Sequence, residues 1–355
     1  MNAARAKVPG SRIGLGPWPL LSGRGPGNQA LAGAGMEYDD EALRRYLDGR
    51  LQQGYLDARL EREPPGGEPV FDSATWAFHP ENLRIARAGL RLALRAGGLY
   101  RRGQRNARTL RVRHHDLALP GLSDAMSGFR LLQISDLHVD VDPEFGPALA
   151  EQLRHLSWDA CVITGDFRYR TNGDFTPALS GFEHISRVLQ GPVYAILGNH
   201  DSIRMVPHLE GLGTRVLMNE GVHLGDDHGR GVWLAGVDDP HFYRQHDIPR
   251  ALADRPDDVP ALLLAHSPEA YREAASAGAD AMLCGHTHGG QIRLPGGVPL
   301  VTNADCPREF TSGAWRWQTL QGYTSVGAGS SVLDVRYNCP AEVVLHRLVP
   351  RPPAD

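Results

Sequence analysis

Between residues 130 and 284 the chain repeats one pattern: a short, mostly apolar run, a stop marked by glycine or a polar residue, then a longer stretch whose apolar positions fall three or four apart. Apolar runs without alternation predict strands buried on both faces, over 130–135, 160–164, 193–197, 232–237, 261–265 and 281–284, with a last strand near 343–348. The stretches between them predict helices near 147–156, 177–189 and 268–277. Each begins at a proline (Pro147, Pro177, Pro268), whose missing N–H leaves no helical hydrogen bond unmade in the first turn. Strands alternating with helices define an α/β fold with buried sheets, and no internal repeat is visible.

The N-terminal third follows other rules. Residues 1–36 are rich in Gly, Pro and Ala without apolar periodicity, a composition that cannot bury enough surface to order a chain, so disorder is expected. After Met36, which is a second candidate start of translation, Glu37, Asp39, Asp40 and Glu41 precede a helical pattern of Leu43, Tyr46, Leu47 and Leu51. The run Pro64-Pro65-Gly66-Gly67 ends that unit. Over 83–97, Leu83, Ala86, Leu90, Ala93, Leu94 and Gly97 fall on one helical face, bordered by Arg84, Arg87, Arg91 and Arg95. This predicts either a helix lying on an anionic membrane surface or one that packs on the main domain with a solvated basic rim. The expected division is therefore 1–36 disordered, 37–115 a helical, Arg-rich extension, 116–348 the main domain and 349–355 a tail.

Composition narrows the picture. With 355 residues, 41% hydrophobic and 22% charged, the chain can build one large or about two ordinary domains. No apolar stretch reaches the ~18 residues of a membrane-spanning helix, and the N-terminus lacks a secretory leader. A cytoplasmic location, or a peripheral one on the inner face of the membrane, is expected. Cys161, Cys284, Cys306 and Cys339 are far apart and form no CxxC, which argues against a disulfide scaffold or a zinc ribbon. The net charge of −4 hides an asymmetry: residues 81–115 hold 10 basic side chains and 1 acid, whereas residues 116–355 hold 18 and 30. So acidic a main domain repels long nucleic acids.

Nearly every predicted strand ends in residues that bind metals. The first runs into Asp136-Leu137-His138, the second into Gly165-Asp166, the third into Gly198-Asn199-His200-Asp201, the fifth into His266 and the sixth into Gly285-His286-Thr287-His288. Carboxyl ends of neighbouring strands are where α/β proteins gather a site. Any one of these residues alone is a turn acid or a satisfied core histidine; five such elements in order, each after an apolar run, predict one cleft.

This series, completed by Gly289-Gly290-Gln291 and by a closing segment from Gly327-Ala328-Gly329-Ser330 to Arg336-Tyr337-Asn338-Cys339-Pro340, resembles the calcineurin-like metallophosphoesterases over about residues 128–348. The Gly289-Gly290-Gln291 tail and the closing segment look like a bacterial branch of membrane-associated phosphodiesterases that includes a UDP-2,3-diacylglucosamine pyrophosphatase of lipid A synthesis. The resemblance implies a four-layer α-β-β-α sandwich of two mixed sheets. It also implies two divalent transition-metal ions (Mn, Fe, Zn or Ni), one held by Asp136, His138, Asp166 and His288 and the other by Asp166, Asn199, His266 and His286. A carboxylate can bridge two cations where a neutral imidazole cannot, and mixed N/O donors favour those metals over Ca. Two ions ~3.5 to 4 Å apart polarise phosphoryl oxygens and make a water nucleophilic near neutral pH. His200 then corresponds to the imidazole facing the leaving group, with Asp201 either orienting its ring or capping a helix. Arg168 is either a phosphate contact or a solvated arginine, and Asp238-Asp239 either shape the cleft or make a turn. The expected activity is phosphodiester or pyrophosphate hydrolysis, with a lipid-linked substrate plausible. The alternatives are the UDP-2,3-diacylglucosamine pyrophosphatase itself, a cyclic-nucleotide phosphodiesterase or nuclease, and a non-catalytic interaction module.

Overall fold

In the computed structural model, residues 39–63, 84–225, 230–299, 302–331 and 333–351 are described. The expected disorder of 1–36, the start at Met36 and the break at Pro64–Gly67 lie outside these residues. The elements in chain order are α1 (Asp40–Leu47), α2 (Tyr55–Glu61), α3 (Arg84–Ala96), α4 (Tyr100–Arg108), β1 (Arg111–Leu119), β2 (Arg130–Ile134), α5 (Phe145–Leu153), β3 (Ala160–Ile163), α6 (Thr176–Ser186), β4 (Val193–Ala195), α7 (Val206–Gly211) and β5 (Arg215–Val216). They continue with β6 (Glu220–Gly225), β7 (Gly231–Gly236), α8 (Ile248–Ala251), β8 (Ala261–Leu264), α9 (Tyr271–Ser276), β9 (Ala281–Cys284), β10 (Gly313–Trp317), β11 (Leu320–Thr324) and β12 (Glu342–Pro350).

Two six-stranded mixed sheets result, ordered β1-β12-β2-β3-β4-β5 and β10-β11-β9-β8-β7-β6. In the first, the parallel block β2-β3-β4-β5 has antiparallel β12 on one side; in the second, the parallel block β11-β9-β8-β7 lies between antiparallel β10 and β6. The alternation of side chains along a strand then makes three layers of core. Leu131, Val162, Leu262, Leu264 and Leu283 fill the space between the sheets. Leu132, Ile134, Cys161 and Ile163 point the other way, under α5, α6 and α7. Leu263, Met282 and Cys284 pack beneath α8 and α9. Each fully buried aliphatic side chain contributes roughly 1.5–3 kcal/mol, which explains why these runs read as apolar on both faces.

The division expected at 115/116 falls inside β1, which pairs in parallel with β12 from Arg111↔Glu342 to Leu119↔Pro350. A sheet strand, not a helix, ends the 37–115 segment. Its first half is exposed, as at the edge of a sheet, so it carries arginines and lacks an apolar run. β12 likewise continues past 348 into the expected tail. Earlier in the chain, Leu43, Leu47, Tyr55, Leu56 and Leu60 of α1 and α2 belong to the core beneath the first sheet. Among the described residues, no helix is long and apolar enough to cross a membrane.

Candidate metal centre

The parallel strands β2, β3 and β4 of one sheet and β8 and β9 of the other release their chains at a common edge. The two sheets are tied together there by Gln133 Nε2 donating to the Cys284 carbonyl (2.9 Å) and by His266 Nδ1 at the Thr164 carbonyl (2.7 Å). Strand-end loops also lock to one another: Asp136 N–H bonds the Gly165 carbonyl and His138 N–H the Asp166 carbonyl, both at 3.0 Å. A Cβ on Gly198 would sit 2.2 Å from Asp166 Oδ1, and one on Gly285 would sit 2.4 Å from Asp136 Oδ2, so glycine at these two positions is what lets the loops close. The result is strained. Asp136, His138, Asp166, His286 and His288 all have positive φ, between 42° and 70°, a backbone state that costs L-residues on the order of 1–3 kcal/mol each and persists where the surroundings enforce it.

All seven expected ligand residues converge, and all are buried. Asp136, His138 and His288 form one group, Asp166, His266 and His286 a second, with ligand atoms inside each group within 4.8 Å of one another. In the first, His138 Nε2 lies 3.1 Å from His288 Nε2, which is 3.4 Å from Asp136 Oδ1. In the second, Asn199 Oδ1 lies 2.8 Å from His286 Nδ1 and 3.1 Å from His266 Nε2. Asp166 Oδ2 stands between the groups, 3.2 Å from His266 Nε2 and 3.7 Å from His138 Nε2. Its other oxygen accepts the His200 N–H at 3.0 Å.

Backbone carbonyls set the tautomers. His138 Nδ1 faces the Arg168 carbonyl (2.8 Å), His266 Nδ1 the Thr164 carbonyl (2.7 Å) and His286 Nε2 the Asn303 carbonyl (2.6 Å). A carbonyl only accepts, so each ring donates there and turns its other nitrogen inward. Those inward nitrogens meet one another, two carboxylates and an amide oxygen, a set of acceptors that a cation relieves. The same demand appears in the titration of the bare side chains. Burial alone would lower the His266 pKa, but Asp166 and Asp136 override it and push it up to about 10. Burial and neighbouring imidazoles hold His286 and His288 well below the usual histidine range. The residues present therefore fit a pair of metal ions with N/O ligation.

His200 stands beside the first group, its ring 5.3 Å from that of His138 and stacked 5.9 Å from Tyr169, with Nδ1 3.2 Å from Thr171 Oγ1. Asp201, next to it in the chain, turns its carboxylate to the backbone. Its carboxylate accepts the N–H groups of Asp166 (2.7 Å), Phe167 (2.9 Å), Arg168 (3.3 Å) and Gly198 (2.9 Å), because the tight Gly198–Asp201 turn points the side chain back at the β3 loop. Burial and then the Asp166 charge raise its pKa to about 6. Arg168 is neither solvated nor turned to the cleft: it is buried and bonds the carbonyls of His200 (2.6 Å), Gly173 (3.0 Å) and Thr171. Asp239 accepts the N–H groups of His241, Phe242 and Tyr243, as a turn acid does.

Residues without a motif complete the surroundings. His241, hydrogen-bonded to Glu269 at 2.9 Å, lies 4.3 Å from the His286 ring. Buried Arg336 bonds the carbonyls of Val326 and Gly329 and places Nη2 3.4 Å from His288 Nδ1. Only its presence in the family-like closing segment could have drawn attention to Arg336; nothing local in the sequence marks His241.

Residues 129–290 match the family described as calcineurin-like phosphoesterase, and this part of the chain is a calcineurin-like metallophosphoesterase domain. The chain is 29% identical over 235 residues to an uncharacterized metallophosphoesterase of Helicobacter pylori, covering 62% of this chain and 60% of that protein. It is 29% identical over 256 residues to the phosphodiesterase YaeI of Escherichia coli (67% and 87% covered). With the UDP-2,3-diacylglucosamine pyrophosphatase LpxG of Chlamydia trachomatis it shares 25% identity over 242 residues (52% and 71% covered).

Proposed function

We propose that the protein is a binuclear metal-dependent phosphoesterase that hydrolyses phosphodiester or pyrophosphate bonds by direct attack of water. The observation that carries this reading is the convergence of imidazoles held by backbone carbonyls, two carboxylates and one amide oxygen in one buried pocket. Asp136, His138, Asp166 and His288 would hold one ion, and Asp166, Asn199, His266 and His286 the other, with Asp166 shared. Bound there, the ions supply Lewis acidity toward the phosphoryl oxygens and an activated water. The chain's own part is to fix that geometry and to manage the leaving group. His200, with Nδ1 engaged by Thr171, presents Nε2 as the atom that protonates the departing alkoxide, a step typically worth 10²- to 10⁴-fold. Asp201 keeps the Asp166–Arg168 backbone in place rather than moving protons.

A lipid-linked substrate is favoured by α3, where Leu90 of the apolar stripe is 42% exposed with Arg91 and Arg95 along the border, the arrangement of a helix that lies on an anionic membrane. The pyrophosphatase activity named for LpxG is the particular reaction this would suit.

The test begins with metal content. Asp166→Asn should lose both ions by elemental analysis and with them all turnover; a variant that retains two ions per chain would show that Asp166 is not shared. His200→Ala should keep its ions and lose ~10²–10⁴-fold on a diester with a poor leaving group, less on a nitrophenyl ester that needs no protonation. Equal losses on both would remove the general-acid role. A screen of monoesters, diesters, nucleotide pyrophosphates and acylated sugar nucleotides then sets the substrate class.

A further inference from the structure

Residues 39–63 precede the part of the chain that matches the family, yet they reach the centre. Arg59 of α2 is fully buried. Its guanidinium lies 3.0 Å over the ring of Tyr243, forms ion pairs with Asp238 (3.2 Å) and Glu63 (3.3 Å), and donates from Nη2 to the Asp201 carbonyl at 3.1 Å. Asp201 follows β4 of the first sheet, whereas Asp238 and Tyr243 follow β7 of the second. One side chain thus joins loops delivered by different sheets.

The residue it holds is the one that organises the centre's backbone. Asp201 closes the Gly198–Asp201 turn, on which Asn199 and His200 stand, and grips the Asp166–Phe167 amides. Glu63, on the same turn of chain as Arg59, accepts the Ile203 N–H at 3.0 Å and the Ser202 hydroxyl. Arg59 of α2 and Glu63, two residues past its end, therefore hold residues 201–203. Tyr55, at the start of α2, donates to Asp238 at 2.6 Å and secures the other loop. Desolvating a guanidinium is costly, and apolar packing of equal volume is often as stable; what an ion with fixed donor directions adds is geometry.

We propose that Arg59 is a positioning residue of the metal centre: through Asp201 it sets where Asn199 and His200 stand relative to the 238–243 loop, which makes α2 a working part of the site. The kinetic readout of this inference rests on the phosphoesterase reading above; its metal-binding readout does not.

The experiment uses the full chain carrying Arg59→Met with Asp238→Asn, which removes one charge of each sign and leaves Glu63 beside Arg204 (3.6 Å). The double variant should unfold cooperatively, with kcat on a nitrophenyl diester lowered ~10- to 100-fold and KM within about twofold. Titration with Mn²⁺ should show one of the two binding steps weakened ~10-fold, as expected when Asn199 is displaced. Arg59→Lys, which keeps the charge without the planar fork, should fall between. If the double variant does not fold, Glu63→Gln is read the same way, with a smaller loss of the same kind. A folded variant with wild-type kcat and wild-type Mn²⁺ affinity overturns the proposal, even if its melting temperature falls, because α2 is then merely structural. If the wild type binds Mn²⁺ but hydrolyses none of the esters, the phosphoesterase reading fails while the titration still decides the role of Arg59.

Discussion

Two amphipathic units precede the matched domain, and they have opposite fates. In α1 and α2, Leu43 and Leu47 are buried beneath the first sheet, and the charged rim finds partners in the main domain: Arg50 with Glu210 (3.0 Å) and Glu220 (2.8 Å), Asp40 with Arg204 (2.7 Å). In α3 the periodicity is as clear, yet Leu90 of its apolar face stays exposed, while half-buried Leu94 packs against the small cluster of Tyr100, Leu333 and Val335 and Arg95 lies over the Tyr100 ring. Periodicity says that a face is to leave water; it does not say which surface will receive it. The rim makes the difference here. A rim of both signs matches a folded protein's own mixed surface, whereas an unbroken row of arginines matches an external anionic one.

The contrast can be broken most directly through the apolar faces. Leu47→Ala should cost roughly 2–5 kcal/mol, read as a lower urea midpoint at unchanged slope, while Leu90→Ala should stay within about 0.5 kcal/mol. Comparable losses would mean that α3 is packed in solution and the distinction is false. The rims should diverge next, and by less. Arg50→Met leaves Glu210 and Glu220 facing each other and the Val216 carbonyl without its donor, and should cost about 1–3 kcal/mol; Arg91→Met, exposed, should be neutral by the same melts. The smallest effect concerns affinity. Changing Arg84, Arg87, Arg91 and Arg95 to Gln should leave stability and turnover of a soluble diester unaltered but abolish co-sedimentation with vesicles of anionic lipid, each arginine contributing at most ~1 kcal/mol. Wild-type binding should also fade as salt shortens the screening length below ~8 Å. A protein that ignores such vesicles at low salt would leave α3 without its proposed partner.

The sequence by itself determined the strands that are buried on both faces, because a continuous apolar run has few other uses: β2, β3, β4, β7, β8, β9 and β12 lie where the runs fall. It also determined which side chains gather at the strand ends, since metal-ligating residues follow the runs of β2, β3, β4, β8 and β9. The edge and short strands left weaker traces. β5 has two residues, β6 buries only Leu224 fully, and the first half of β1 is basic and exposed. What only the tertiary structure decided are relations between residues distant in the chain. Asp201 was visible as an acid beside His200, but that its carboxylate serves the backbone of 166–168 depends on how two loops close. No motif marks Arg59, and its place between Asp201, Asp238 and Tyr243 follows from where α2 docks. Local pattern is written by burial and backbone geometry within a few residues, whereas partners for buried polar groups are chosen by the packing of whole layers, across 142 positions in the case of Arg59 and Asp201.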